Sequence, residues 1–183
     1  MDTRREPGQD SKLMEMLCGY AAAHRHPFNV AVHLVGIPVI MLGVFIAFSR
    51  FSLEIDGFAF NLAHVTLLAL FLFYLTLDVV FALVFLAMGV AVAWLAALLA
   101  AQPAAVAWTA SAAAFFGGYA LQFIGHAVER SAPVILKHPV QANLAAPFFT
   151  VVEIFNLTGL RKSLFDAVKA RIERVGPRQP VDS

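Results

Sequence analysis

The segment "HRHPFNVAVH" places three histidines, His24, His26 and His33, just before a long apolar run. A fourth, His126, stands three positions before Glu129 in "LQFIGHAVERSAP". Imidazoles and carboxylates are the side chains that ligate divalent metals and move protons near neutral pH. Cys18 is the single cysteine, so a thiolate cluster is excluded and a metal here would need nitrogen and oxygen donors. Residues at i and i+3 share a helix face. His126 and Glu129 can therefore supply two ligands, or one ligand and the carboxylate that orients it.

On one unbroken helix His24 and His33 would be separated by about 13 Å of rise, too far to share an ion. Pro27 lies between them, and proline both lacks an amide donor and disfavours helix in the preceding residue. With an elbow there, the two histidines sit on different helices and can converge. Asn29, just past the elbow, either caps the next helix or orients a nearby ligand. His26 reads as a solvent-facing neighbour of Arg25, His138 as a loop residue, and His64 as a residue of the far interface.

The elements that must position these groups are apolar. Of 183 residues, 60% are hydrophobic, well above the soluble norm. Between Arg25 and Glu129 the charged residues are Arg50, Glu54, Asp56 and Asp78, which reads as an integral membrane protein. A net charge of +1 gives no footprint for nucleic acid. The N-terminal stretch lacks a short apolar core followed by a cleavage site, so no cleaved signal peptide is expected and the first span directs insertion.

Leu13, Met14, Leu17 and Tyr20 make an amphipathic stripe over 11–24. Spans are expected at 29–48, 62–77, 79–101 and 104–125, with "SRFSLEIDGFAF" as a polar connection and "AQPAA" as a turn. The apolar run 140–159 contains Asn143, Pro147 and Glu153 and reads as a broken fifth segment: a span, a re-entrant hairpin or an interfacial helix. From Leu160 the chain is amphipathic and basic, a surface helix suited to anionic head groups. Positive residues cluster before the first span and after the fourth, which predicts cytoplasmic ends. The expected architecture is all-α: a single helical membrane domain over 11–175, flanked by disordered tails at 1–10 and 176–183. It places His24 and His33 at the same membrane face as His126.

Convergence of His24, His33 and His126 gives a sulfur-free donor set suited to non-haem Fe(II) or to Zn(II). Gln122, one turn before His126, reads either as a support for this site or as a hydrogen bond between helices.

Two segments together, "YAAAHRHPFNVAVHLVGIP" and "LQFIGHAVERSAPVIL" followed by "QANLAAPFFTVVE", resemble the Mpo1-like family of membrane proteins, also called the DUF962 family, from about Tyr20 to Glu153. The resemblance implies an Fe(II)-dependent dioxygenase that uses O2 to shorten 2-hydroxy fatty acids by one carbon. It places His24, His33 and His126 on the family's motif histidines, with Glu129 and Asn29 alongside as catalytic candidates. Substrate contacts would come from Gln122, and from Arg130 or Lys137 pairing with the carboxylate. The high alanine content points to a bacterium and so to an inner membrane, with membrane lipid as the surrounding partner. A zinc-dependent lipid hydrolase with Glu129 as general base, and a membrane scaffold or carrier without catalysis, are the competing readings.

Overall fold

The computed structural model describes residues 12–23, 26–56 and 58–175, so the expected tails lie outside the described residues, as does His24. Seven α-helices account for nearly all of the described residues: α1 (Lys12–Ala23), α2 (Pro27–Ser49), α3 (Leu62–Leu75), α4 (Val79–Ala100), α5 (Ala104–Glu129), α6 (Pro139–Thr158) and α7 (Lys162–Val175). The all-α expectation holds. Four of these helices, α2, α4, α5 and α6, are long and apolar enough to cross a membrane.

Two elements differ from the expectation. The second expected span is a helix of 14 residues, about 21 Å long at 1.5 Å per residue and short of a ~30 Å hydrocarbon core. Its place among the four long helices is taken by α6, the segment expected to be broken. The connection between α2 and α3 is an antiparallel hairpin, β1 (Ser52–Ile55) with β2 (Phe58–Asn61). Its turn carries Asp56 at φ 50, the left-handed conformation that an Asp-Gly hairpin turn demands.

The bundle is organised on the pair α2 and α5, whose faces carry small residues at i and i+7: Gly36 and Gly43 on one, Ser111, Gly118 and Gly125 on the other. A β-carbon added to Gly43 would stand 2.6 Å from the backbone nitrogen of Phe115, and one on Gly118 would stand 2.8 Å from the Gly36 carbonyl. The two backbones are thus in direct contact, the arrangement small residues permit between helices in lipid. The Ser111 hydroxyl donates to the Gly43 carbonyl at 2.7 Å. Gly43 lies level with Ser111 and Gly36 with Gly118, so the helices run antiparallel. This brings the start of α2 beside the end of α5.

The remaining helices pack around that pair. Asp78 caps α4 by accepting from the Phe81 amide at 3.0 Å and pairs with Arg161 at 2.7 Å, which anchors the start of α4 to the segment after α6. In α6 the run Pro147 to Glu153 is buried throughout, as expected of a helix enclosed on all sides. Pro147 removes the helical hydrogen bond to the Asn143 carbonyl, and one residue further on the Leu144 carbonyl accepts from the Tyr74 hydroxyl at 2.7 Å. Phe148 then packs on Tyr74 and Phe81.

Candidate metal centre

Proline at the first helical position starts α2, where its missing amide costs no hydrogen bond and its fixed φ suits the helix. The cap is His26, whose Nδ1 accepts from the Phe28 amide at 3.2 Å. The capping role considered for Asn29 therefore falls to His26. Asn29 is fully buried and turns toward α5 instead, where its Nδ2 donates to Glu129 Oε2.

Glu129 collects donors from both helix ends. Its Oε1 accepts from the His26 backbone amide at 3.1 Å, and its Oε2 accepts from Asn29 and, at a long 3.5 Å, from the Ser131 hydroxyl. Asn29 can come this close because residue 125 has no side chain: a β-carbon there would collide with Asn29 and Val32.

The two described histidines of the expected set meet at this junction. The rings of His33 and His126 are 5.0 Å apart between centroids and nearly perpendicular, at 84°, and both side chains are buried. His33 Nδ1 lies 2.8 Å from the Asn29 carbonyl. A carbonyl only accepts, so Nδ1 carries the proton and Nε2 the lone pair. His126 Nδ1 lies 2.9 Å from the Ser131 hydroxyl. With that hydroxyl donating to Glu129, the imidazole donates from Nδ1 and again keeps its lone pair on Nε2. Anchoring one ring nitrogen so that the other can ligate is how proteins orient metal-binding histidines.

Both histidines line a cavity of about 1010 Å³, at the top of the ~300–1,000 Å³ range for ligand sites. Its walls are mostly apolar, with Ile37, Met41 and Phe45 among them, and a few polar groups, including Tyr20 and Gln122, lie near the histidines. Gln122 Nε2 is buried without a hydrogen-bond partner. Tyr20, on α1, stacks on Phe149 of α6 with centroids 4.0 Å apart. Burial, and the charges of Glu153 and Glu129, raise the pKa of its phenol, so Tyr20 stays a hydrogen-bond donor.

Among the described residues no group of three His, Cys, Asp or Glu side chains is gathered for metal binding. His33 and His126 are brought together; His24, in the link between α1 and α2, is outside the described residues. Arg130 and Lys137 are exposed and do not line the cavity, whereas Lys12 does. His64 completes a capping box with Asn61 at the start of α3, and Glu153 is buried beside Asn156. Ser131 and Lys12 carried no sequence signal of their own. Tyr20 carried a signal, since it opens the first of the two motif segments, but its place in the amphipathic stripe over 11–24 accounted for it as an apolar contact.

Residues 11–157 match the family described as 2-hydroxy-palmitic acid dioxygenase Mpo1-like. The chain belongs to the Mpo1-like family. No curated protein and no solved structure matches it. In this Mpo1-like chain the matched region takes in α1 to α6 almost entirely, and with them His33, His126, Asn29 and Glu129.

The donor chemistry fits a resident Fe(II): two imidazoles, each with Nδ1 committed and Nε2 carrying the lone pair, on the wall of a largely apolar chamber.

Proposed function

We propose that this protein is an integral membrane Fe(II)-dependent dioxygenase that shortens 2-hydroxy fatty acids by one carbon. The observation that carries the reading is the placement of the His33–His126 pair on the wall of a large apolar cavity, in a chain whose family description names that substrate type. His33, His126 and His24 would hold the metal. When bound, iron supplies the redox chemistry that O2 requires.

The chain's own residues bind and orient. Asn29 and Glu129 lock the ends of α2 and α5 together and fix both imidazoles through the Asn29 carbonyl and Ser131. Their catalytic role is therefore positioning. Gln122 offers its unpaired amide to the oxygens of the acid. Arg130 and Lys137 flank Pro133–Ile135, a segment on the cavity wall, and draw the carboxylate toward it. The alkyl chain lies along the apolar wall. The setting is a bacterial inner membrane with both ends of the chain cytoplasmic: the long apolar helices support the membrane, and the basic residues at both ends of the sequence support the orientation.

Metal analysis of protein purified without oxygen tests the reading. Stoichiometric iron, lost in the His33→Ala/His126→Ala double variant while the fold is retained, supports it. Stoichiometric zinc would favour a hydrolase and sink the oxygenase.

A further inference from the structure

The cavity that includes His33 and His126 continues along one face of α2. His33, Ile37, Ile40, Met41, Val44 and Phe45 all line it, a spacing of i, i+4, i+7, i+8, i+11 and i+12 that keeps a single helix face. From His33 to Phe45 the helix rises about 18 Å. At the far end Phe45 is 2% exposed. Phe115 of α5 lines the cavity at the same level, since its backbone abuts Gly43. The Phe115 ring packs edge-on against Tyr119, centroids 4.9 Å apart, and Tyr119 lines the same cavity.

We propose that Phe45 and Phe115 close the far end of this cavity and set the length of alkyl chain that the substrate can carry beyond its reacting carbon. The inference rests on the reading of the His33–His126 end as the place where the acid head binds. An all-trans alkyl chain advances about 1.3 Å per carbon, the zigzag projection of a carbon–carbon bond of ~1.5 Å, so the run accommodates about 14 carbons. A shorter chain leaves apolar wall uncovered. A longer one must displace an aromatic ring from a packed setting, which interiors resist.

The test uses 2-hydroxy fatty acids of increasing length with a photoreactive diazirine at the methyl end, bound without oxygen to the full chain in lipid bilayers. Labelled residues are then mapped by mass spectrometry. Labelling is expected to move along α2 with chain length, from Ile37 and Ile40 to Val44 and Phe45, and to fall once the chain exceeds the limit. Phe45 is a core residue whose truncation endangers the fold, so two half-buried positions carry the comparison. Phe115→Ala should move the limit to longer chains and Val44→Phe to shorter ones. A limit that stays at its wild-type length in both folded variants overturns the inference, as does labelling that never reaches Val44 or Phe45. Because labelling needs no turnover, a ruler that behaves as expected in a protein making no shortened acid would remove the proposed reaction and leave the inference standing. Shortening with an unshifted length profile in both variants would do the reverse.

Discussion

Asn29, in the first turn of α2, donates its side-chain amide to the carboxylate of Glu129, in the last turn of α5. Through it the two helix ends that present His33 and His126 are tied at one point, with the His26 amide and Ser131 joining the same carboxylate. Replacing Glu129 by Gln keeps the size but turns an amide NH2 toward at least one of these donors. A buried donor left without its acceptor costs about 1–3 kcal/mol, and loss of a group supporting metal ligands typically weakens metal binding ~10–100-fold. Thermal unfolding together with iron titration checks this; a Glu129→Gln protein as stable and as iron-avid as wild type would remove the positioning role.

The glycine pair at 117 and 118 separates backbone contact from open space. A β-carbon at Gly118 would stand 2.8 Å from the Gly36 carbonyl and 3.0 Å from the Ile40 nitrogen, whereas at Gly117 it meets nothing within 4 Å. Gly118→Ala should therefore destabilise by about 1–3 kcal/mol through overpacking. Gly117→Ala should be neutral or stabilise by roughly 0.5–1 kcal/mol, because alanine gives up less backbone freedom than glycine in a helix. Equal effects of the two changes on unfolding would contradict the close approach of α2 and α5.

Asp78 has two separable jobs, one oxygen capping α4 and the other pairing with Arg161, whose guanidinium also lies 4.7 Å from the Phe81 ring centroid. Asp78→Asn keeps a capping oxygen and loses the ion pair, worth at most about 1 kcal/mol for a partly exposed pair. Asp78→Ala also loses the cap, adding ~0.5–2 kcal/mol. Unfolding midpoints in the order wild type, Asn, Ala are expected.

Tyr20 should make the fold sensitive to strong base. Its phenol titrates above the ordinary value in the folded protein because it is buried and faces the charges of Glu153 and Glu129. Below the unfolded value of about 10 the protonated phenol contributes its full stability. Above it the unfolded chain ionises first and stability falls as pH rises toward the folded value. The decline in unfolding temperature above about pH 10 should be shallower in Tyr20→Phe than in wild type; an identical slope would place Tyr20 in water.

Much of this was legible from residue types. Pro27 marked the elbow, the apolar runs marked α2, α4 and α5 within a few residues, and the spacing of His126 and Glu129 pointed at the end of α5. The hairpin was missed although Asp56-Gly57 between apolar strands is its own signal, because the charges of Glu54 and Asp56 read as a loop between spans. The length of α3 was overestimated because Thr76 and Leu77 continue the apolar pattern while Asp78 draws the chain into a cap. The α6 segment looked broken because Pro147 and Glu153 are costly in isolation; Tyr74 packs and hydrogen-bonds on the turn around Pro147 and Asn156 donates to Glu153, partners that hydropathy does not weigh. The parity of the spans placed His33 and His126 at one membrane face, whereas their ring-to-ring contact depends on the small residues spaced seven apart on α2 and α5, visible in sequence on each helix but not as a matched pair. Ser131 acquires its place only when the chain turns at Arg130, held at φ 58.

Turnover tests the central claim most directly. Purified protein, reconstituted in lipid with Fe(II) and supplied with O2 and a long-chain 2-hydroxy fatty acid, should yield the acid one carbon shorter, and folded His126→Ala should yield none above background. Wild-type protein that retains iron yet forms no shortened acid, or His126→Ala protein that forms it at the wild-type rate, would contradict the account.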